Sequence, residues 1–219
     1  MLLLLDTANL KDIREGVETF AVSGVTTNPS IMQKEGNVDF FAQLKAIRAI
    51  IGPERSLHVQ VTGQTADLMY REGLEIARRL GEGTFVKVPA TMEGLKAIRL
   101  LKKDGIGVTA TAIMDLFQGY LAHMAGSDWL AVYYKRMKNA GIDADEVVRS
   151  LSKAQANVLG ASFADSSQAA SCLSLGAKAV TVSFSVLSSG LAIEPVDAAV
   201  RDFWQRWKTI HGERSILDL

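Results

Sequence analysis

Hydrophobic positions follow two rhythms in this chain, and the two alternate along its length. Short runs that are continuously apolar, or apolar at every second residue, predict strands at residues 2–5, 57–62, 85–89, 107–113, 129–134, 157–163 and 178–183, with another starting at Val22. Between them apolar residues recur at helical spacing. Asn9 is placed to cap a helix running to about residue 20, and further helices are predicted at about 39–51, 65–80, 114–125, 143–156 and 166–175. Thr91 caps a helix to residue 103, with Met92, Leu95, Ile98 and Leu101 on its apolar face. Gly52-Pro53, Gly81 and Gly105 act as stops. After Val22 the β-branched run is broken at Asn28-Pro29, which predicts a loop there. A short helix near Ser185 and a last one over 195–210, with Pro195 in its first turn and Phe203, Trp204 and Trp207 along it, complete the pattern.

Eight strand candidates, each followed by a helix, share 219 residues. That is about 27 residues per unit, the size of one βα repeat with short loops. Continuous βα alternation implies a parallel sheet, and eight units imply that it closes into a barrel. The competing architecture, an open doubly wound sheet, would carry a G-x-G-x-x-G turn after the first strand, and none is there. No linker divides the chain, so residues 1–219 are expected to form a single domain. Residues 195–219 would be an extra C-terminal helix and tail, the tail after about 214 being of uncertain order.

Composition narrows the class of partner. Lys plus Arg (24) balance Asp plus Glu (24), and no basic stripe or nucleic-acid motif is present, so neither nucleic acid nor a membrane surface is expected. The apolar opening stops at Asp6, too soon for a signal peptide or a membrane span. One cysteine, Cys172, excludes an internal disulfide and reads as a small buried hydrophobe. His58, His123 and His211 have no metal-ligand spacing, so no metal is expected. The cytoplasm is the expected compartment.

In a barrel of this kind the chemistry sits at the carboxyl ends of the strands. Those ends carry Asp6, Thr26 and Asn28, Gln60, Lys87, Thr109 and Thr111, Ala131 and Tyr133, Ser162, and Thr181 with Ser183. Any one polar residue in a strand is ordinarily packing or surface, and a strand lysine ordinarily points at water. Recurring at consecutive strand ends, however, these residues surround one amine with carboxylate, amide, hydroxyl and phenol. A desolvated lysine has a lowered pKa and attacks carbonyls as the free amine. Schiff-base chemistry also moves a proton at every step. Asp6 could relay protons, while Gln60, Thr111 and Tyr133 could hold a water. Asn28 could bond Lys87 and substrate hydroxyls. His58, one step deeper than Gln60, reads as a satisfied interior histidine.

Four motifs resemble the transaldolase family, and most closely its small fructose-6-phosphate aldolase branch. They are Leu5-Asp6-Thr7-Ala8, Gly24-Val25-Thr26-Thr27-Asn28-Pro29-Ser30, Val86-Lys87-Val88-Pro89-Ala90-Thr91 with Glu93-Gly94-Leu95, and Thr111-Ala112-Ile113. The likeness runs on to residues 195–200. It implies a single-domain (β/α)8 TIM barrel that uses no cofactor, with Lys87 as the Schiff-base lysine, Asp6 as acid/base and Asn28 as the family's asparagine. Transaldolases resemble one another in a glutamate where this chain has Gln60, and in serine and phenylalanine where it has Ala131 and Tyr133. All three match the aldolase branch. The resemblance therefore implies reversible cleavage of a ketose such as fructose 6-phosphate to dihydroxyacetone and an aldehyde such as glyceraldehyde 3-phosphate. A small transaldolase and a silent sugar-binding barrel are the alternatives.

Arg136 and Ser162 match the branch's phosphate contacts. Where the branch tends to read Ser-Phe-Lys-x-x-Arg, however, this chain reads Ser162-Phe163-Ala164-Asp165-Ser166-Ser167. Thr109 stands where an apolar residue near the acceptor is more usual. Tolerance of unphosphorylated aldehydes is expected. The resemblance also implies a homo-oligomer, a pentamer or decamer, reached through the C-terminal helix.

Overall fold

The computed structural model describes residues 1–219. Its first half runs β1 (Leu2–Asp6), α1 (Leu10–Thr19), β2 (Val22–Thr26), α2 (Pro29–Lys34), α3 (Phe40–Ile51), β3 (Ser56–Gln60), α4 (Ala66–Leu80), β4 (Thr84–Pro89) and α5 (Met92–Lys103). The second runs β5 (Gly107–Ile113), α6 (Leu116–Met124), β6 (Trp129–Tyr133), α7 (Tyr134–Asn139), α8 (Ala144–Lys153), β7 (Val158–Ala161), α9 (Ser166–Ser174), β8 (Ala179–Val182), α10 (Phe184–Leu191) and α11 (Glu194–His211), with a 3-10 turn at Ile216–Asp218. The strands close in chain order into one barrel, β8 returning to β1, and every pairing is parallel. This is the expected (β/α)8 barrel with an extra C-terminal helix. No helix is long and apolar enough to cross a membrane.

Two packed regions hold it. The larger, built on residues such as Leu5, Ile13, Ile47, Val59, Val86, Ile98, Val108 and Val148, fills the space between barrel and helices. The smaller, Leu4, Ala131, Leu159 and Ala179 with Trp129 against them, lies on the alternate face of the strands, inside the barrel. Side-chain caps close the starts of most helices, α7 and α11 being without one. Asn9 accepts from the backbone N–H of Lys11 and Asp12, and Asp39, Thr65, Thr91, Asp115, Asp143, Asp165 and Ser183 cap in the same way. Each cap contributes about 1 kcal/mol. Together they gather helix N-termini around the carboxyl mouth of the barrel. Gly94 lets α5 start tightly against β4, because a Cβ there would lie 1.8 Å from the Pro89 carbonyl oxygen.

The structure corrects the sequence reading at several places. The segment at Asn28-Pro29 is the start of α2, with Asn28 as N-cap and Pro29 in the first turn, where a missing N–H costs nothing. Tyr134–Asn139, carrying Arg136, is a helix that the apolar pattern did not signal. β3 ends at Gln60 and β7 at Ala161, so Ser162 and Phe163 lie beyond the sheet. Met92 is exposed and only the rest of the α5 stripe packs. In α11 none of the residues is buried, and Phe203 and Trp204 are 66% and 44% exposed.

Candidate active site

Register explains why these side chains share a face. Gln60 pairs with Lys87, Lys87 with Thr109 and Thr109 with Trp129, so these side chains on β3 to β6 all face the barrel interior. Lys87 is 4% exposed. Its ammonium nitrogen donates to the Thr27 backbone carbonyl at 2.8 Å, not to Asn28 as expected. Asn28 spends its side-chain oxygen on the Ile31 N–H at 3.0 Å as the α2 cap, which leaves its amide N–H groups facing the cavity. Burial lowers the Lys87 pKa, and the Asp6 carboxylate only partly restores it. Burial likewise raises the Asp6 pKa, against the pull of Lys87 and of the Thr26 hydroxyl. The amine and the acid are thus both driven toward their uncharged forms, the state in which an amine is a nucleophile and a carboxyl can give a proton.

Asp6 is oriented by a directional chain. The Thr26 hydroxyl donates to Asp6 Oδ1 at 2.6 Å, so Thr181, also 2.6 Å away, donates to Thr26. Across the barrel Thr111 donates to the Tyr133 phenol oxygen at 3.3 Å. Thr111 is aimed by its neighbour: Ala112 has φ 59° and sits in a break of register between β5 and β6. A left-handed alanine is strained, and strain of this kind concentrates at functional sites. Gln60 Oε1 is buried and makes no hydrogen bond within the chain. Such an oxygen costs about 1–3 kcal/mol unless a donor reaches it. Gln60 lines both a cavity of about 240 Å³ with Thr27, Asn28 and Thr62 and a neighbouring apolar cleft of about 410 Å³ bounded by Phe40, Phe41 and Leu68.

Ala131 is buried within the barrel, packed in a cluster with Leu4, Leu159 and Ala179. Arg136 lies one helical turn past Tyr133, with its guanidinium carbon 4.9 Å from the centre of that ring. It is exposed and forms no ion pair within the chain. Ser162 also has a left-handed backbone, φ 61°, and its carbonyl accepts from the Lys135 N–H at 2.8 Å, which draws the β7 end toward α7. Beyond it Asp165 caps α9, accepting from the Gln168 N–H at 3.0 Å and the Ser167 hydroxyl at 2.6 Å. Those bonds hold its pKa below the usual carboxylate range.

The carboxyl half of the barrel therefore carries Asp6, Thr26, Gln60, Lys87, Thr109 and Thr111 on its strands, with Asn28 and Tyr133 at the mouth, Arg136 stacked on Tyr133, and Ala131 deeper in the inner packed cluster. Sequence reasoning missed the Thr27 carbonyl, because a backbone acceptor leaves no residue signal. It also gave Thr181 no role, although alternation in β8 turns it inward. No cluster of three His, Cys, Asp or Glu side chains is assembled in the chain.

The family model described as Transaldolase/Fructose-6-phosphate aldolase matches residues 3–211. A Streptococcus pneumoniae (strain ATCC 700669 / Spain 23F-1) protein named "Probable fructose-6-phosphate aldolase" is 42% identical, over 97% of this chain and 99% of its own length. The crystal structure of a Burkholderia cenocepacia J2315 protein described as a phosphonomutase superposes with a TM-score of 0.58, covering 92% of this chain and 93% of that one. At 15% identity that likeness concerns the fold alone.

Proposed function

Since the chain belongs to the transaldolase/fructose-6-phosphate aldolase family, whose members are aldolase-type enzymes, we propose that it is a class I aldolase that reversibly cleaves fructose 6-phosphate or a related ketose to dihydroxyacetone and an aldehyde. The observation that carries this reading is a buried lysine whose pKa burial lowers, electrostatically coupled to the Asp6 carboxyl, whose pKa is raised. The Lys87 amine attacks the ketose carbonyl and the carbinolamine loses water to give an iminium ion. A base takes the proton of the hydroxyl on the fourth carbon. The bond between the third and fourth carbons breaks, its electron pair passes to the iminium as an enamine, and the aldehyde leaves. Protonation of the enamine and addition of water then release dihydroxyacetone and the free amine.

In this reading Asp6 moves the protons, poised by burial and by Thr26. Gln60, Thr111 and Tyr133 hold the water that is lost and regained, and the unbonded Gln60 oxygen suits that task. Asn28 and Thr26 bind the dihydroxyacetone unit. Ala131 and Thr109 border the acceptor, and Arg136 and Ser162 meet a phosphate where one is present. No cofactor is needed, because the imine on Lys87 is the electron sink. Gln60, Ala131 and Tyr133 favour cleavage over transfer. The cytoplasm is the proposed compartment and a homo-oligomer built through α11 the proposed assembly, supported by the unburied aromatics of that helix.

Incubation with dihydroxyacetone and borohydride tests the proposal. A single covalent adduct is expected by mass spectrometry, lost in Lys87→Met. No adduct, or one that survives that substitution, removes the mechanism.

A further inference from the structure

Directly beneath the candidate lysine lies a titratable group that the aldol chemistry does not use. His58 is 1% exposed and has a partner on each ring nitrogen. Nδ1 lies 2.8 Å from the Thr109 hydroxyl oxygen and Nε2 3.0 Å from that of Ser56. Phe85 on the next strand stacks on the ring at 4.8 Å and 14°, and Trp129 meets its edge at 6.5 Å. The ring therefore cannot turn without displacing both aromatics.

Proton counting fixes the direction of these bonds. Burial, with the positive charges of Lys87 and Arg48 nearby, pushes the His58 pKa down to about 3, so the imidazole is neutral. A neutral imidazole has one donor and one acceptor. Two hydroxyl protons and one ring proton must then be placed. Ser56 has a second acceptor within reach, the Ser23 carbonyl at 3.4 Å. Thr109 is fully buried, and His58 Nδ1 is the one acceptor its hydroxyl reaches. Only one arrangement satisfies all three protons: Thr109 O–H to Nδ1, Nε2–H to Ser56, and Ser56 O–H to the Ser23 carbonyl. The reverse arrangement leaves a buried hydroxyl proton on Thr109 without a partner, which buried polar groups rarely tolerate.

Thr109 is the register partner of Lys87 on the adjacent strand and faces the same interior. With its proton committed downward, its remaining lone pairs are its only polar offering to that interior. We propose that His58 is a positioning residue which accepts the hydrogen bond of the Thr109 hydroxyl, so that Thr109 meets the group carried on Lys87 as a hydrogen-bond acceptor only and selects aldehydes bearing a hydroxyl beside the carbonyl. The inference rests on the aldolase reading above and deepens it. A ligand hydroxyl can donate to Thr109, whereas an alkyl group at the same place leaves those lone pairs unmet. Sites built to bond a substrate hydroxyl discriminate strongly against its absence.

Two measurements test it. Neutron diffraction from the deuterated protein near pH 7 is expected to show His58 protonated on Nε2 and bare on Nδ1; a proton on Nδ1, or on both nitrogens, overturns the chain of bonds. Kinetically, the ratio of kcat/KM for glycolaldehyde over acetaldehyde, each with dihydroxyacetone, is expected to fall at least about tenfold in Thr109→Val and to be kept in Thr109→Ser. His58→Leu is expected to lower the ratio in the same direction, and the double variant no further than Thr109→Val alone. An unchanged ratio in Thr109→Val overturns the specificity role, and that variant suffices if His58→Leu does not fold. Failure of the native protein to form a dihydroxyacetone adduct would sink the aldolase reading and the specificity role together, while the His58 proton positions would still judge the bond chain on their own.

Discussion

At the residue scale, Lys87 is an amine held where its charge is unwelcome. Because its folded pKa is lowered, the unfolded chain binds the proton first as pH falls through the range below 10.5. Stability is therefore lost as pH falls from 10.5 through the lowered folded pKa. Lys87→Met should remove the penalty along with the chemistry. Adduct formation is expected to vanish while the Tm stays equal or rises, and a Tm drop of more than about 5 °C would contradict the account. His58 carries the same sign over a different window. Its pKa falls from 6.5 to about 3, so stability declines as pH drops through that range, by at most about 1.4 kcal/mol per pH unit from this one group. Urea unfolding at several pH values should show the native slope exceeding that of His58→Leu by up to one proton. Tyr133→Phe removes the phenol that Thr111 donates to. Transferase activity is expected to rise relative to cleavage, and an unchanged ratio would count against the branch assignment.

At the element scale, α9 and α2 give opposite lessons. The first turn of α9 offers backbone N–H groups of the sort that bind phosphate. Asp165 already occupies that end as the cap, and Ala164 and Ser167 supply no positive charge. Of the two residues that match the branch's phosphate contacts, Arg136 supplies a positive charge and Ser162 does not. We therefore expect kcat/KM for glyceraldehyde 3-phosphate to exceed that for glyceraldehyde by less than about a thousandfold at saturating dihydroxyacetone, since one charge-assisted contact contributes only a few kcal/mol. In α2, Asn28 both caps the helix and lines the cavity. Asn28→Ala should cost about 1 kcal/mol in urea unfolding as well as activity. Asn28→Asp keeps the cap and should recover the stability, with no matching recovery of activity, because the amide donors are gone.

At the scale of the whole molecule, α11 presents Val196, Val200, Phe203 and Trp204 to solvent, which a monomer gains nothing by exposing. Trp204→Glu with Phe203→Glu is expected to reduce the sedimentation coefficient toward that of a single 23.7 kDa chain. A native protein that already sediments as a monomer would end the proposal. The barrel was legible in the sequence because apolar periods of two and 3.6 are set by local geometry, and eight of each leave few topologies open. The strand-end set of Asp6, Gln60, Lys87, Thr111 and Tyr133 was legible for the same reason, since alternation fixes which face each side chain takes. What alternation cannot encode came from tertiary structure. The Thr27 carbonyl reaches Lys87 because α2 follows β2 at once. The left-handed backbone of Ala112 and Ser162 and the helices at Pro29 and Tyr134 depend on neighbours distant in sequence. Residue pattern determined the barrel and the identity of its buried amine. Only packing decided which atoms hold that amine, and in which direction the protons beneath it run, because both are set by contacts between strands rather than along them.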